Sequence, residues 1–347
     1  MRAVRYLVAG VFSCALSGGS AFASSSSNTA AAPIATATTV SQSSTQNIVR
    51  TISSTVSDGL ARAFSSGNLF RHSPANNKRV GLGQGETGVS TGNSPAGFGV
   101  WGSADYTYLR IVPDGDRSQR RLTDIYSGVA GLDYAINDKA VTGVAVGYGH
   151  AETDGRTARA FKLDQTSDSF TVAPYLGLSP MENMTVDVVV GYTYASIDTT
   201  DYSFNTVAKG SNNSNTVFSA VNLGYVMPVT NNVAIKGFTG FSFQHGSTDS
   251  YRDSQNNEIR GDSEDHWVAR LGAKALWAVT DSTEAYVSAA YERDRQTPAL
   301  SENSARMTLG TSSKLLDGLD LVAEGMANFG RETQQEYGAA VNLRLLF

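Results

Sequence analysis

The sequence predicts an all-β fold, a 12-stranded antiparallel barrel that crosses a membrane with its strands, preceded by a helix and a linker. Three observations carry this. The last eleven residues alternate, with Tyr337, Ala339, Val341, Leu343, Leu345 and Phe347 on one face and Gly338, Ala340, Asn342, Arg344 and Leu346 on the other. Successive side chains of a strand point to opposite faces, so one face is apolar and the other mostly small or polar. A soluble sandwich would have to cover such a strand, whereas a membrane barrel sets lipid against one side and a lumen against the other. Second, twelve period-2 segments follow one another from residue 97 onward, joined by connections that are alternately short and long. Third, charged residues make up only 17% of the chain beside 34 Gly, 15 Tyr and 14 Phe, a balance that suits a lipid-facing wall better than a water-soluble enzyme.

Taken in order, residues 1–23 read as a secretory signal. Arg2 and Arg5 form the basic region, Tyr6 to Leu16 the apolar core, and Ala21-Phe22-Ala23 the cleavage site, with the cut after Ala23. That cut removes Cys14, the only cysteine, so the exported chain needs no disulfide. A lipidated Cys14 is the competing reading, and the bulky Phe12 fits it poorly. Residues 24–44 are rich in Ser, Thr and Ala with almost no charge, and are expected to be a disordered spacer. Over 45–66 the apolar residues Ile48, Ile52, Val56, Leu60 and Phe64 recur every four positions and predict an amphipathic helix, weakened at Asp58-Gly59. Such a stripe is more than a wet, polar lumen asks for, which points the helix toward a partner, a membrane surface or a copy of itself as well as toward the pore. Residues 67–96 return to Gly, Asn, Ser and Pro and read as a linker.

The twelve predicted strands lie near 97–110, 122–136, 139–151, 167–179, 183–197, 214–228, 232–246, 264–280, 283–294, 304–316, 318–330 and 335–347. Tight turns at Asn137-Asp138, Pro180 to Glu182, Pro228 to Asn231, Asp281-Ser282 and Asp317-Gly318 alternate with longer polar loops. An up-and-down barrel of the outer membrane has this rhythm, with tight periplasmic turns and long outer loops. Trp267 and Trp277 share a face ten residues apart, which at a tilt near 40° projects to roughly 25 Å, the height of the apolar band. With Tyr192 and Tyr194 they are the expected membrane girdle. A charge at the bilayer midplane costs roughly 2–4 kcal/mol, so strand charges must face the lumen. Asp105, Asp187, Lys236, Arg270, Lys274, Glu292, Arg306, Lys314, Glu324 and Arg344 are the inward candidates.

The first strand, Phe98-Gly99-Val100-Trp101-Gly102, and the last, Tyr337 to Phe347, behind a helix and a signal sequence, resemble the β-domain of the autotransporters of type V secretion. The resemblance covers residues 97–347. It implies a barrel inserted in the outer membrane of a Gram-negative cell, a segment threading its pore (45–66 or the linker after it), and an upstream passenger carried to the cell surface. It also implies a C-terminal assembly signal in Tyr337, Val341, Leu343, Leu345 and Phe347. Barrel-assembly machinery and periplasmic chaperones are the implied partners, with membrane lipid and lipopolysaccharide around a monomeric barrel. One departure stands out: family passengers usually run to hundreds of residues, and here only residues 24 to about 66 are available, with no repeat of 20 to 50 residues. The chain is therefore expected to be a translocator with a very short exported segment. The alternative is a stand-alone pore or surface adhesin whose outer loops bind a ligand.

Other chemistry is weak. Asn76-Asn77 resembles the junction at which some autotransporters release their passenger by asparagine cyclisation, with Asp105, Asp187 or Glu324 assisting; no efficient release is expected. His72, His150, His245 and His266 fall in no Ser-His-acid pattern, so no enzyme is predicted, and His150, His245 and His266 are read as rim residues on the loop side. No metal-binding spacing appears and no cofactor is expected. Gly81 to Gly85 lacks the Lys-Ser/Thr ending of a phosphate loop. Asp249, Asp253, Asp262, Glu264 and Asp265 make the 247–265 loop acidic, which is read as ordinary solvation. With a net charge of −5, nothing points to nucleic acid.

Overall fold

A computed structural model describes residues 43–58, 98–112, 120–137, 139–156, 161–202, 206–280, 282–297, 300–316, 319–331 and 334–346. The signal sequence with Cys14 and Ala23, the Ser/Thr-rich stretch up to residue 42, Leu60, Phe64, the 67–96 linker with Asn76 and Asn77, and Phe347 lie outside the described residues.

A helix, α1, covers 43–58. The strands are β1 (Phe98–Ile111), β2 (Arg121–Asn137), β3 (Ala140–Arg156), β4 (Lys162–Leu178), β5 (Met184–Asp201), β6 (Ala208–Pro228), β7 (Val233–Thr248), the short β8 (Tyr251–Arg252) and β9 (Glu258–Ile259), then β10 (Asp262–Ala278), β11 (Thr283–Thr297), β12 (Leu300–Leu316), β13 (Leu319–Phe329) and β14 (Gln334–Leu346). Twelve of them form a closed barrel in which each strand pairs antiparallel with its neighbours in sequence, β7 pairs with β10, and β14 returns to β1. The closing register runs from Gly99 opposite Leu346 to Ile111 opposite Gln334. A closed ring leaves no strand edge, so the backbone bonds are made without water, as a bilayer interior demands.

Burial alternates along the strands as the sequence pattern requires. On β3, Val144, Val146 and Tyr148 face outward and exposed, while Ala145, Gly147 and Gly149 face inward. On β10, Leu271 is 64% exposed and its neighbour Arg270 turns inward. The strands run further into the loop side than the sequence pattern indicates: β3 reaches Arg156, β4 begins at Lys162, and β6 begins at Ala208. Leaving the lipid ends the need for apolar side chains but not the gain from continuing the ladder. Segments such as Gly210 to Asn215 therefore stay paired while reading as loop. The 247–263 stretch is not a plain loop either, because it folds back as the β8–β9 hairpin. Its Asp253 carboxylate accepts from the Gln255 and Asn257 backbone amides and closes the hairpin turn.

Candidate functional site: the lumen and its helix

α1 lies inside the barrel and is held from opposite sides by two different walls. Ile48, Val49, Ile52 and Val56 are buried in one cluster with Trp101, Val129, Val141, Ala145, Ala173, Tyr175, Val189, Phe218 and Ala220, all on β1 to β6. The stripe expected to seek a partner or a membrane finds its cover here, because this side of the lumen carries a strip of buried apolar side chains. β3 makes room for it. A side chain at Gly147 would come within 3.1 Å of Ile48 Cγ2, and one at Gly149 within 2.6 Å of Ser44 Oγ, so only a glycine lane lets the helix sit this close. Burying an isoleucine completely is worth roughly 1.5–3 kcal/mol, and Ile48 and Ile52 are both fully buried.

The other wall is charged. Arg50 donates to Glu336 at 2.8 Å and lies 3.5 Å from Glu292, and both carboxylates are also braced by Arg306 at 2.9 and 3.0 Å. Thr51 donates to Asp105 at 3.2 Å, and Asp105 also accepts from Ser127. At the end of the described helix, Asp58 accepts from Lys236 at 2.7 Å and from Lys274 at 2.6 Å. Lys236 also reaches the Ser57 carbonyl at 3.3 Å, placing a cation on the negative end of the helix dipole. A cavity of about 160 Å³ remains between α1 and this wall, bordered by Arg270, Ser288, Thr308, Glu324 and Ala340. The helix is thus off-centre, pressed on the glycine lane.

Its direction follows from these contacts. Ser44 meets Ser169 at 3.1 Å, midway along β4 and nine residues from its turn end. Thr55 approaches Asn342 near the turn end of β14, and Asp58 meets Lys236, three residues from the turn at which β7 begins. The N-terminal end of α1 therefore points to the long loops and its C-terminal end to the short turns.

The lumen charges read from the sequence, Asp105, Asp187, Arg270, Lys274, Arg306, Glu324 and Arg344 with Lys236, Glu292 and Lys314, lie on inward positions. Arg270 donates to Asn222, which donates to Asp187. Glu324 accepts from Tyr286, whose ring carries Lys274 at 4.3 Å. Arg344 pairs with Asp133, which also accepts from Tyr175, itself the acceptor of the Trp101 indole N–H. A side chain at Gly131 or Gly143 would run into the Trp101 or Tyr175 ring. Arg344 on β14 thus reaches past β1 to Asp133 on β2, a staple across the closing seam. Sequence reading missed Glu336, Asp133, Arg50 and Asp58. Strand parity alone places Glu336 with Arg344 and Asp133 with Ser127, so the signal for those two was present.

Outside, Tyr192 and Tyr194 are exposed and donate to Asn215 and Asn213 on β6. Trp277 is exposed near the turns, and Trp267, half-buried beside Phe241 at 6.1 Å, stands near the loops. Tyr337, Val341, Leu343 and Leu345 are exposed on the outer face of β14. His150 and His245 are rim residues, paired with Asp168 and Asp265. His266 is not: its parity turns it inward, where it is buried against Asp294.

A family model described as the autotransporter β-domain matches residues 100–324. The chain belongs to that family. No curated protein matches it. The autotransporter barrel is similar in fold to the translocator domain of the autotransporter NalP from Neisseria meningitidis, with a TM-score of 0.67 at 13% identity over 89% of this chain and 99% of that one. It is similar to the β-domain of the Bordetella autotransporter BrkA, with a TM-score of 0.62 at 14% identity over 73% of this chain and 100% of that one. A third likeness is to the transport unit of AIDA-I from Escherichia coli, at 0.51 and 13% identity over 84% and 98%. The protein is an outer-membrane translocator barrel of the Gram-negative envelope.

Proposed function

We propose that this autotransporter barrel exports the residues preceding α1 through its lumen and then keeps them anchored at the cell surface, with α1 left behind as the plug. The helix direction carries the reading. Residue 43 faces the loop end and residue 58 the turn end, the polarity a chain takes once its N-terminal part has left outward and its C-terminal part still leads back to β1 in the periplasm. The exported piece is then the Ser/Thr-rich stretch after Ala23, in keeping with its lack of a core-forming pattern. The exposed face of β14 supports a role for Tyr337, Val341, Leu343, Leu345 and Phe347 in recognition by assembly machinery. Trp267, Trp277, Tyr192 and Tyr194 are placed to meet the two lipid interfaces. No residue is assigned a catalytic role, and Asn76-Asn77 is read as linker.

Protease added to intact cells tests the export. Residues 24–42 should be clipped while the barrel stays whole, and full protection of that segment overturns the reading. Plugging is tested separately by the pair Ser44→Cys and Ser169→Cys. The two hydroxyl oxygens lie 3.1 Å apart, so a disulfide should form in the membrane-inserted chain and close its conductance in planar bilayers.

A further inference from the structure

The two charges of α1 that reach the wall are not interchangeable, because the wall itself is split. Toward the loop end, three wall carboxylates, Glu292, Asp294 and Glu336, are joined by two wall arginines, Arg306 and Arg331; Arg50 of the helix is the third cation of this group. Toward the turn end the groups that meet the helix are cations. Lys236 and Lys274 share Asp58 of the helix, and Arg270 reaches the wall carboxylate Asp187 through Asn222. Arg50 and Asp58 are eight residues apart, about two turns or roughly 12 Å along the axis. The helix dipole runs the same way, with its negative end on Lys236. Beside all this, the glycine lane fixes which side of the helix faces which wall.

We propose that the lumen is a polarised binding site that reads the charge order of the segment it holds. It accepts a helix carrying a cation toward the loops and, two turns later, an anion toward the turns, with a β-branched stripe on the β3 side, and it rejects the reverse order. Lys236 and Lys274 on one side, Glu292 and Glu336 on the other, are the specificity-determining groups. An uncompensated buried charge is costly, so a mismatch at either end expels the helix rather than being tolerated in place. This rests on the reading of α1 as the pore occupant.

The test uses the full chain in planar bilayers. Asp58→Lys sets three cations together at the turn end and should raise the open fraction about tenfold or more. Arg50→Asp with Asp58→Lys, the reversed order, should open it at least as far. Lys236→Asp with Lys274→Asp should open the unmodified helix in the same way, and adding Asp58→Lys to that wall should return the open fraction to within about twofold of the starting protein. Refolding rescued only in that combination, should the wall change alone prevent folding, supports the inference equally. An open fraction unchanged by Asp58→Lys, or not restored in the combination, overturns it. The disulfide of the Ser44→Cys, Ser169→Cys variant separates the two levels: if it forms while charge order has no effect, only this inference fails, and if it does not form, helix occupancy itself fails.

Discussion

The wall built by β3 to β6 and the wall built by β10 to β14 grip the same helix by different means. Along β3, β4 and β6 the inward positions read Val141, Gly143, Ala145, Gly147, then Thr171, Ala173, Tyr175, then Phe218, Ala220, Asn222, while β5 turns one charge inward near its turn end, Asp187. Along β10 to β14 they include Arg270, Lys274, Glu292, Asp294, Arg306, Glu324, Glu336 and Arg344. The apolar wall supplies area without direction, so it favours any close-fitting apolar stripe. The charged wall supplies direction at the cost of desolvation, and is stable only while every member is paired. A plug that must be both held and correctly oriented needs one of each.

Removing a member of the charged wall is the severest way to break this arrangement. Glu336→Ala strips Arg306 and Arg50 of a shared, buried carboxylate at 2.9 and 2.8 Å. The expected loss is about 3–5 kcal/mol, read as a lower urea midpoint for the barrel folded in detergent. An unchanged midpoint would mean that the network is ornamental and that the apolar wall does all the holding.

On the apolar side the largest effect should come from Ile52→Ala. Ile52 is fully buried and packs with Val129, Val189 and their neighbours, so truncation costs about 2–4 kcal/mol of helix docking. The barrel midpoint should barely move, and the open fraction in bilayers should rise. That split, docking lost and barrel kept, distinguishes the apolar wall from the charged one; equal losses in both readouts would erase the distinction.

Most of the barrel could be read directly from the chain, and most of its contents could not. Period-2 alternation of the kind seen in Val186, Val188, Val190 and Tyr192 is local, and lipid forces it, so each of the twelve strands announces itself. Strand ends on the loop side were less legible because Thr, Ser and Asn suit a solvated strand and a loop equally well. The plug was legible as a helix but not as an occupant. A polar lumen offers such a stripe no cover, yet Gly147, Gly149 and Ala145 on β3 and Ala173 on β4 make a groove once the two strands pair. Arg50 and Asp58 gained meaning in the same way, since their partners lie far away in sequence. His266 shows the opposite case, where simple parity with Arg270 would have placed it inside.

Filling the groove is a gentler intervention. Gly147→Val adds bulk where even a methyl stands 3.1 Å from Ile48, so the helix must shift toward the cavity or leave. Overpacking of this kind costs about 1–3 kcal/mol, and the Ser44→Cys, Ser169→Cys disulfide should form more slowly in that background. An unchanged rate would show that the lane does not set the helix position.

The smallest change lies on the lipid side, where neither wall is involved. Tyr148 is exposed on β3 and donates to Asp168 on β4 at 2.6 Å, and Asp168 also accepts from His150 at 2.8 Å. Tyr106 and Asp124 repeat the arrangement between β1 and β2. Tyr148→Phe removes one hydrogen bond at an interface where water can replace it, so about 0.5–1 kcal/mol of barrel stability should be lost. Helix docking should be untouched, with the disulfide rate and open fraction those of the parent. A change in either would mean that strain on the outer face of β3 reaches its glycine lane, and that outer rim and plug are coupled through a single strand.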